Sequence, residues 1–303
     1  NKMYPGDQTY VYSIRPDNFA GTVNASNNYW GSDNPDFSVL IDKSRAPNGS
    51  VDYFPYYSDV ALSTLIYKMV TISEDTVWAT PHPNQKVTIL DGATLTLSAP
   101  MSLDTVTMRE GAQVKSNLAD QTGSVTTKSL RFSPNLSGTG WKAFGMPFTS
   151  AVIKNSTEEE ISAPSTQNVD NGIWFARLKD NKTPEFVVDE SAFGMAGLWA
   201  ANGDTYTISS EGAFEFKTLE EPAAPTETGT FLMCSNPNTF TITLKQSAYI
   251  LTADGTSFEQ EANPEIKPFQ SFVLTDAKTL STLRSLRIGD GVVTGNQTIE
   301  PVD

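Results

Sequence analysis

Val87–Thr88–Ile89–Leu90–Asp91–Gly92–Ala93–Thr94–Leu95 reads again, 19 residues on (106 − 87), as Val106–Thr107–Met108–Arg109–Glu110–Gly111–Ala112–Gln113–Val114. Val, Thr, an acidic residue, Gly and Ala recur in register. A period near 20 with β-branched residues and a fixed glycine marks a stack of β-coils in which each repeat covers the last. Glycine suits a corner that needs positive φ, and alanine suits a place where the next coil stacks closely. Val70–Thr71–Ile72 begins an earlier, less regular coil.

Composition agrees with a strand-rich chain. Of 303 residues, 38% are apolar and 10% aromatic, enough for sizeable cores. Charged residues make up 18%, below the usual ~25%. Ser, Thr, Asn, Gly and Pro fill the difference, as in exported β-rich proteins with frequent turns. The formal charge of −14 argues against nucleic acid as a partner, because phosphate binding draws on basic patches. One cysteine precludes an intramolecular disulfide and a thiolate zinc cluster, and one histidine excludes most histidine-based metal sites. No apolar run approaches the ~18 residues of a membrane-spanning helix. The chain starts abruptly at Asn1 in turn-rich sequence and reads as a trimmed fragment, so the lack of a leader does not count against export.

Upstream, Tyr10, Tyr12 and Ile14 alternate as in a half-buried strand, and Arg15–Pro16–Asp17–Asn18 reads as a turn. Asn27–Asn28–Tyr29–Trp30–Gly31 follows, then the turn Asn34–Pro35–Asp36 and the closure Val51–Asp52–Tyr53–Phe54–Pro55–Tyr56–Tyr57. This segment resembles the end of a right-handed parallel β-helix of the pectin-lyase-like kind, where an N-x-W-W-G segment marks the last coils. Tyr29 stands at the first aromatic position. The resemblance implies asparagines stacked at a coil corner and a tryptophan covering the open end of the core.

The best boundary is Ser133–Pro134–Asn135–Leu136–Ser137–Gly138–Thr139–Gly140, a turn-rich stretch without apolar period. It divides residues 1–134, expected to be β-coils with a sub-boundary near 60–70, from residues 135–303. The second part shows short strands at 173–178, 186–188, 205–208, 213–217, 230–233, 239–244, 248–251, 269–274 and 284–288. Their spacing points to an antiparallel sandwich, with small helices near 189–196 and 277–284. The stretches Trp141–Lys142–Ala143–Phe144–Gly145–Met146–Pro147–Phe148, Ile266–Lys267–Pro268–Phe269–Gln270–Ser271–Phe272–Val273–Leu274 and Leu283–Arg284–Ser285–Leu286–Arg287–Ile288–Gly289–Asp290 resemble a β-sandwich module of surface proteins of gut Bacteroidetes. The fold class expected is therefore all-β: terminal coils of a right-handed parallel β-helix, then an antiparallel β-sandwich.

No constellation stands out as catalytic. His82 lies between Pro81 and Pro83 in what reads as a rigid exposed turn, and Cys234 reads as a buried strand thiol. Glu158–Glu159–Glu160 lacks the D-x-D-x-D-G spacing of a calcium loop. Glycoside hydrolysis needs two carboxylates facing across a groove, and no pair is singled out. Pectinase-like β-helices carry catalytic Asp, Lys or Arg on central coils, whereas this stretch resembles the final ones. The fragment is thus expected to be non-enzymatic, with no catalytic, cofactor-binding or metal-binding residues. Whether an upstream part has activity is open. Asp75–Thr76–Val77 and Asp104–Thr105–Val106 resemble a short O-glycosylation sequon of exported Bacteroidetes proteins. Most aromatics read as core, and Trp30, Tyr56, Tyr57 and Trp199 are the candidates for stacking on sugar rings. The function expected is that of a secreted or outer-surface, adhesin-like or structural protein whose partners are glycans or host surface components. The alternative is a carbohydrate-binding appendage of a polysaccharide-degrading β-helix enzyme. Oligomeric state is not legible.

Overall fold

The computed structural model describes residues 12–13, 21–42, 48–118, 123–136, 141–148, 152–161, 173–178, 180–182, 186–188, 196–201, 205–288 and 301–302. The chain is all-β: strands predominate, and the described residues hold two short helices, Phe37–Leu40 and Ala277–Thr282. It divides into two compact units, Asn1–Val70 with Asn84–Lys86, and Thr71–Pro83 with Val87–Asp303.

In the first unit, Tyr12–Ser13 pairs parallel with Ile41–Asp42, and Thr22–Asn24 pairs parallel with Ser50–Asp52. Thr22 lies beside Ser50 and Tyr29 beside Tyr57, a step of 28 residues each time (50 − 22, 57 − 29). Backbone bonds hold the step: Ala25 N donates to Asp52 O at 2.7 Å and Tyr57 N to Asn28 O at 2.9 Å. Among the described residues the asparagine amides bond locally, where stacking from coil to coil was expected. Asn24 Oδ1 accepts from Ser26 N at 3.0 Å, and Asn28 Nδ2 donates to Ala25 O at 2.8 Å. These short amides close their own turn, which competes with reaching the next coil.

The second unit opens with a parallel stack. Thr76–Trp78, Thr94–Leu97 and Gln113–Ser116 form a three-stranded sheet with parallel pairing. Thr94 lies beside Gln113 and Leu95 beside Thr76, so the strands step by the same 19 residues as the sequence repeat. In a second ladder Met101–Met108 pairs parallel with Val125–Phe132. Side chains join the levels too. Asp75 Oδ1 accepts from Thr94 N at 2.9 Å, and Asn117 Nδ2 donates to Ser98 Oγ at 2.8 Å. Gly92 and Gly111 adopt φ of 77° and 75°, and Ala93 and Ala112 beside them are buried. Alternate residues point inward: Val87 and Ile89, Leu95 and Leu97, Val106 and Met108 are all buried. The alternation slips at Asp104–Thr105, between buried Leu103 and buried Val106. It slips again one level on, at Lys128–Ser129. Thr127 Oγ1 donates to Asp104 O at 3.1 Å across the two levels. Here the step is 24 residues, Met101 lying beside Val125 (125 − 101).

The last strands of both ladders are covered. Val125–Phe132 pairs antiparallel with the ten-residue strand Tyr206–Glu215. Arg131 and Glu211 form an ion pair across that junction. On the last strand of the three-stranded sheet, Val114 N donates to Thr239 O at 2.7 Å, and Thr239 Oγ1 donates back to Val114 O at 2.8 Å. The remainder is antiparallel. One sheet has the order Lys142–Ala143, Leu198–Ala201, Ile173–Leu178, Phe186–Val188. A six-stranded sheet has the order Phe231–Ser235, Ser271–Thr275, Ala248–Leu251, Ser257–Glu261, Ser285–Arg287, Pro301–Val302. Both contribute to one core, with Ala176, Leu178, Phe186 and Leu198 from the first and Phe231, Tyr249, Phe258, Val273 and Leu286 from the second. A separate core of Cys234, Leu244, Ala248, Ile266, Phe272 and Leu274 lies on the opposite side chains of the six-stranded sheet. All five residues of Ser271–Thr275 are buried.

Strands 173–178, 186–188 and 248–251 fall where the sequence places them. The expected pair 205–208 and 213–217 is one strand, because Ser209 and Ser210 keep their pairing to Val152 and Phe132 through the polar stretch. The helix Ala277–Thr282 lies within the expected 277–284. The helix expected near 189–196 falls almost wholly outside the described residues, as do Tyr10 and Ile14.

Asp276 caps the second helix and ties it to the turn before Thr230. Its carboxylate accepts from Thr279 Oγ1 at 2.5 Å, Gly229 N at 2.8 Å, Lys278 N at 3.0 Å and Thr279 N at 3.1 Å. The Thr279 hydroxyl first, then the backbone N–H groups of Thr279, Gly229 and Lys278, hold the carboxyl below the usual range against the opposing effect of burial. A carboxyl with a depressed folded pKa contributes stability above its unfolded pKa, ~4, and loses it as pH falls through the folded value. Asp276→Asn is therefore expected to lower Tm at pH 7 and to lose less Tm than the parent between pH 5 and pH 2. A Tm difference constant over that range would refute the role. Gly111→Ala is expected to cost about 1–2 kcal/mol in urea denaturation, since alanine is disfavoured at this φ and the added methyl meets only ordinary contacts. An unchanged midpoint would contradict it.

Candidate functional site

The densest ring cluster of the first unit is built by three short segments. Asp36 stops the turn Asn34–Pro35 and caps the helix Phe37–Leu40, accepting from Ser38 N at 2.9 Å and Ser38 Oγ at 2.5 Å. This sets Phe37 at the first helical position. The strand Ser50–Asp52 then delivers Tyr53 and Phe54, and Tyr56–Tyr57 follows as a strand paired with Leu65–Ile66. Phe37 and Tyr53 stack face to face, centroids 3.7 Å apart and planes 16° apart. Trp30 and Tyr56 meet Phe37 edge-on at 5.4 Å and 5.2 Å. Phe54 fills the angle between Tyr53 and Tyr56 at 5.0 Å and 5.5 Å.

Beside this cluster lies an open groove of about 520 Å³, lined by Phe37, Ser38, Ile41, Ser50, Val51 and Tyr53. Among the described residues its lining carries hydroxyls, aliphatic groups and two rings. A second groove, of about 440 Å³, lies in the other unit among Glu259, Gln260, Ala262, Arg284 and Ser285. That one has charge of both signs and no aromatic ring.

The four ring residues picked from the sequence fare differently. Trp30 is 3% exposed and Tyr56 5%, and both sit beneath Phe37. Burial first, and the Asp33 carboxylate second, push the Tyr56 phenol above its ordinary range. Tyr57 is half-buried in the parallel stack beside Tyr29. Trp199 belongs to the other unit and is fully buried. Phe144 lies parallel to it at 5.4 Å, Phe175 tilts against it at 4.8 Å, and its Nε1 donates to Phe144 O at 3.2 Å. Sugar stacking needs an open ring face, and Trp199 has none to offer. Phe37, which sequence reasoning passed over, is the ring the cluster turns on. The Asn-Pro-Asp helix start just before it was the available signal.

Elsewhere, His82 is not the exposed turn residue expected: its ring is half-buried and lies 4.5 Å from that of Trp78. Cys234 is buried in its strand, and burial pushes its thiol up to about 12, so it stays neutral at physiological pH. Glu158, Glu159 and Glu160 are exposed around a turn whose amides bond to Asn155 Oδ1. Thr76 and Thr105 are half-buried, and their hydroxyls donate to Glu74 O and Asp104 Oδ2. Among the described residues, no three His, Cys, Asp or Glu side chains converge as metal ligands would, and no helix is long and apolar enough to cross a membrane.

Comparison with protein-family models, curated proteins and solved structures finds no match to this chain. The packing around Trp199 makes a direct prediction. Trp199→Ala is expected to lower stability by about 3–5 kcal/mol in urea denaturation, the cost of emptying a large core site. A loss below about 1 kcal/mol would mean the ring is not core.

Proposed function

We propose that this chain is part of an exported, non-enzymatic cell-surface protein of adhesin-like or structural kind. In this reading the parallel stacks are terminal coils of a right-handed β-helix, and the antiparallel sheets that share a core are a β-sandwich. The carrying observation is the step of 19 residues that recurs in one parallel sheet, from Thr94 to Gln113 and from Thr76 to Leu95. A stack that repeats its step can be long without a large globular core, which suits a stalk or display surface. The uncharged polar composition supports export, and the antiparallel sheets at the end of the stack suit a capping or attachment module. The resemblance of Asn27–Gly31 and Trp141–Phe148 to surface-protein segments supports the same lineage.

Antibodies raised against the purified chain test the reading on intact cells that produce the protein. Labelling before permeabilisation, removed by brief external proteinase treatment, is the expected result. Labelling only after lysis would overturn a surface location.

A further inference from the structure

Between the strands Tyr206–Glu215 and Phe231–Ser235 the chain crosses as a strap with neither helix nor strand. Side chains from further along the chain grip its backbone. Asn238 Oδ1 accepts from Leu219 N at 2.7 Å, and Asn238 Nδ2 donates to Leu219 O at 3.3 Å. Gln246 Nε2 donates to Pro222 O at 2.9 Å. The loop that carries Asn238 also holds the last strand of the three-stranded sheet. Val114 N donates to Thr239 O at 2.7 Å, Thr239 Oγ1 donates to Val114 O at 2.8 Å, and Thr241 N donates to Gln113 Oε1 at 3.0 Å. One loop thus grips the strap on one side and the sheet edge on the other.

Burial joins the two grips. Asn238 is 1% exposed and Thr239 3%. Asn238 N and Nδ2 donate to Asn236 Oδ1 at 2.9 Å and 3.2 Å, so the amide is bonded towards the strap and towards its own loop. If Leu219 left alone, the buried Oδ1 of Asn238 would lose its donor with no water to replace it. Stripping a buried amide of one partner is costly, whereas a loop that moves out with the strap gains water for each bond it loses. Separate opening is therefore disfavoured and joint opening is not. We propose that residues 217–226 and 238–241 are one latch, which opens as a unit and bares the amide and carbonyl of Val114. Those outward groups are the ones an added strand pairs with, so the latch sets when this end of the stack is open to pairing.

Hydrogen exchange of the whole chain, followed amide by amide by NMR where exchange reports the opening equilibrium, tests it. Leu219, Val114 and Thr241 are expected to share one protection factor within about threefold and one urea slope. Gln246→Ala, which loosens the strap at Pro222, is expected to speed exchange at all three by about tenfold and to leave the amides of Ser271–Thr275 unchanged. In an Asn238→Ala background, which cuts the link, the same substitution is expected to move Leu219 alone. If Asn238→Ala does not fold, the single Gln246→Ala variant decides; if that variant moves neither site, the parent's protection factors and urea slopes decide. Faster exchange at Leu219 with Val114 unmoved overturns the latch. Protection factors for these two amides more than about a hundredfold apart do the same, as does an equal rise across Ser271–Thr275, which would make the opening global.

Discussion

A parallel stack of strands carries an unpaired row of N–H and C=O groups on its last strand, and the second unit is arranged around satisfying that row. In a strand, the amide and carbonyl of one residue point to the same side. Val114 turns both outward, and Thr239 meets both, its carbonyl taking the amide and its hydroxyl reaching the carbonyl. Thr239 is held there by two buried asparagines. Asn236 Nδ2 donates to Phe240 O, Ile266 O and Lys267 O, while its Oδ1 accepts from Asn238 N and Nδ2. Asn238 in turn brackets Leu219 through both its backbone groups. The other ladder ends differently, by a change of direction: Tyr206–Glu215 runs antiparallel along Val125–Phe132. One edge is thus met at Val114 by the carbonyl and hydroxyl of Thr239, and the other by continuing the sheet.

Aromatic packing carries the same junction inward. Phe132, on the last parallel strand, meets Phe269 at 4.7 Å and Phe144 at 6.2 Å, and Phe144 lies on Trp199. These rings therefore serve continuity between parallel and antiparallel sheets. In the first unit the rings of Trp30 and Tyr56 are also interior, and Phe37 and Tyr53 line a groove. Chemistry available to a ligand depends on which layer a ring occupies, which its type does not reveal.

That difference explains what was legible in the sequence. The repeat at Val87 and Val106 is readable because a positive-φ glycine and a small alanine must recur wherever tight turns stack, and the strand register follows the same step. The antiparallel strands at 173–178 and 248–251 are readable because each is a short run of mostly apolar residues, buried on both faces. The slips at Asp104–Thr105 and Lys128–Ser129 are hidden, since a polar pair in a strand looks like solvent-facing residues. Thr239 and Asn236 are hidden for a related reason: their partners, Val114 and Ile266, are remote in sequence. For the groove, Tyr53 was visible as one aromatic of a run, but its partner Phe37 sits in a four-residue helix with no periodicity to mark it.

The strand Ser271–Thr275 is a shared wall. Val273 belongs to the core of the two antiparallel sheets, and Phe272 and Leu274 belong to the core on its other side. The strand cannot leave without opening both cores. Its five consecutive residues bind two hydrophobic volumes into one cooperative opening unit, whose amides exchange with solvent through a common, rare event instead of by independent breathing of either side.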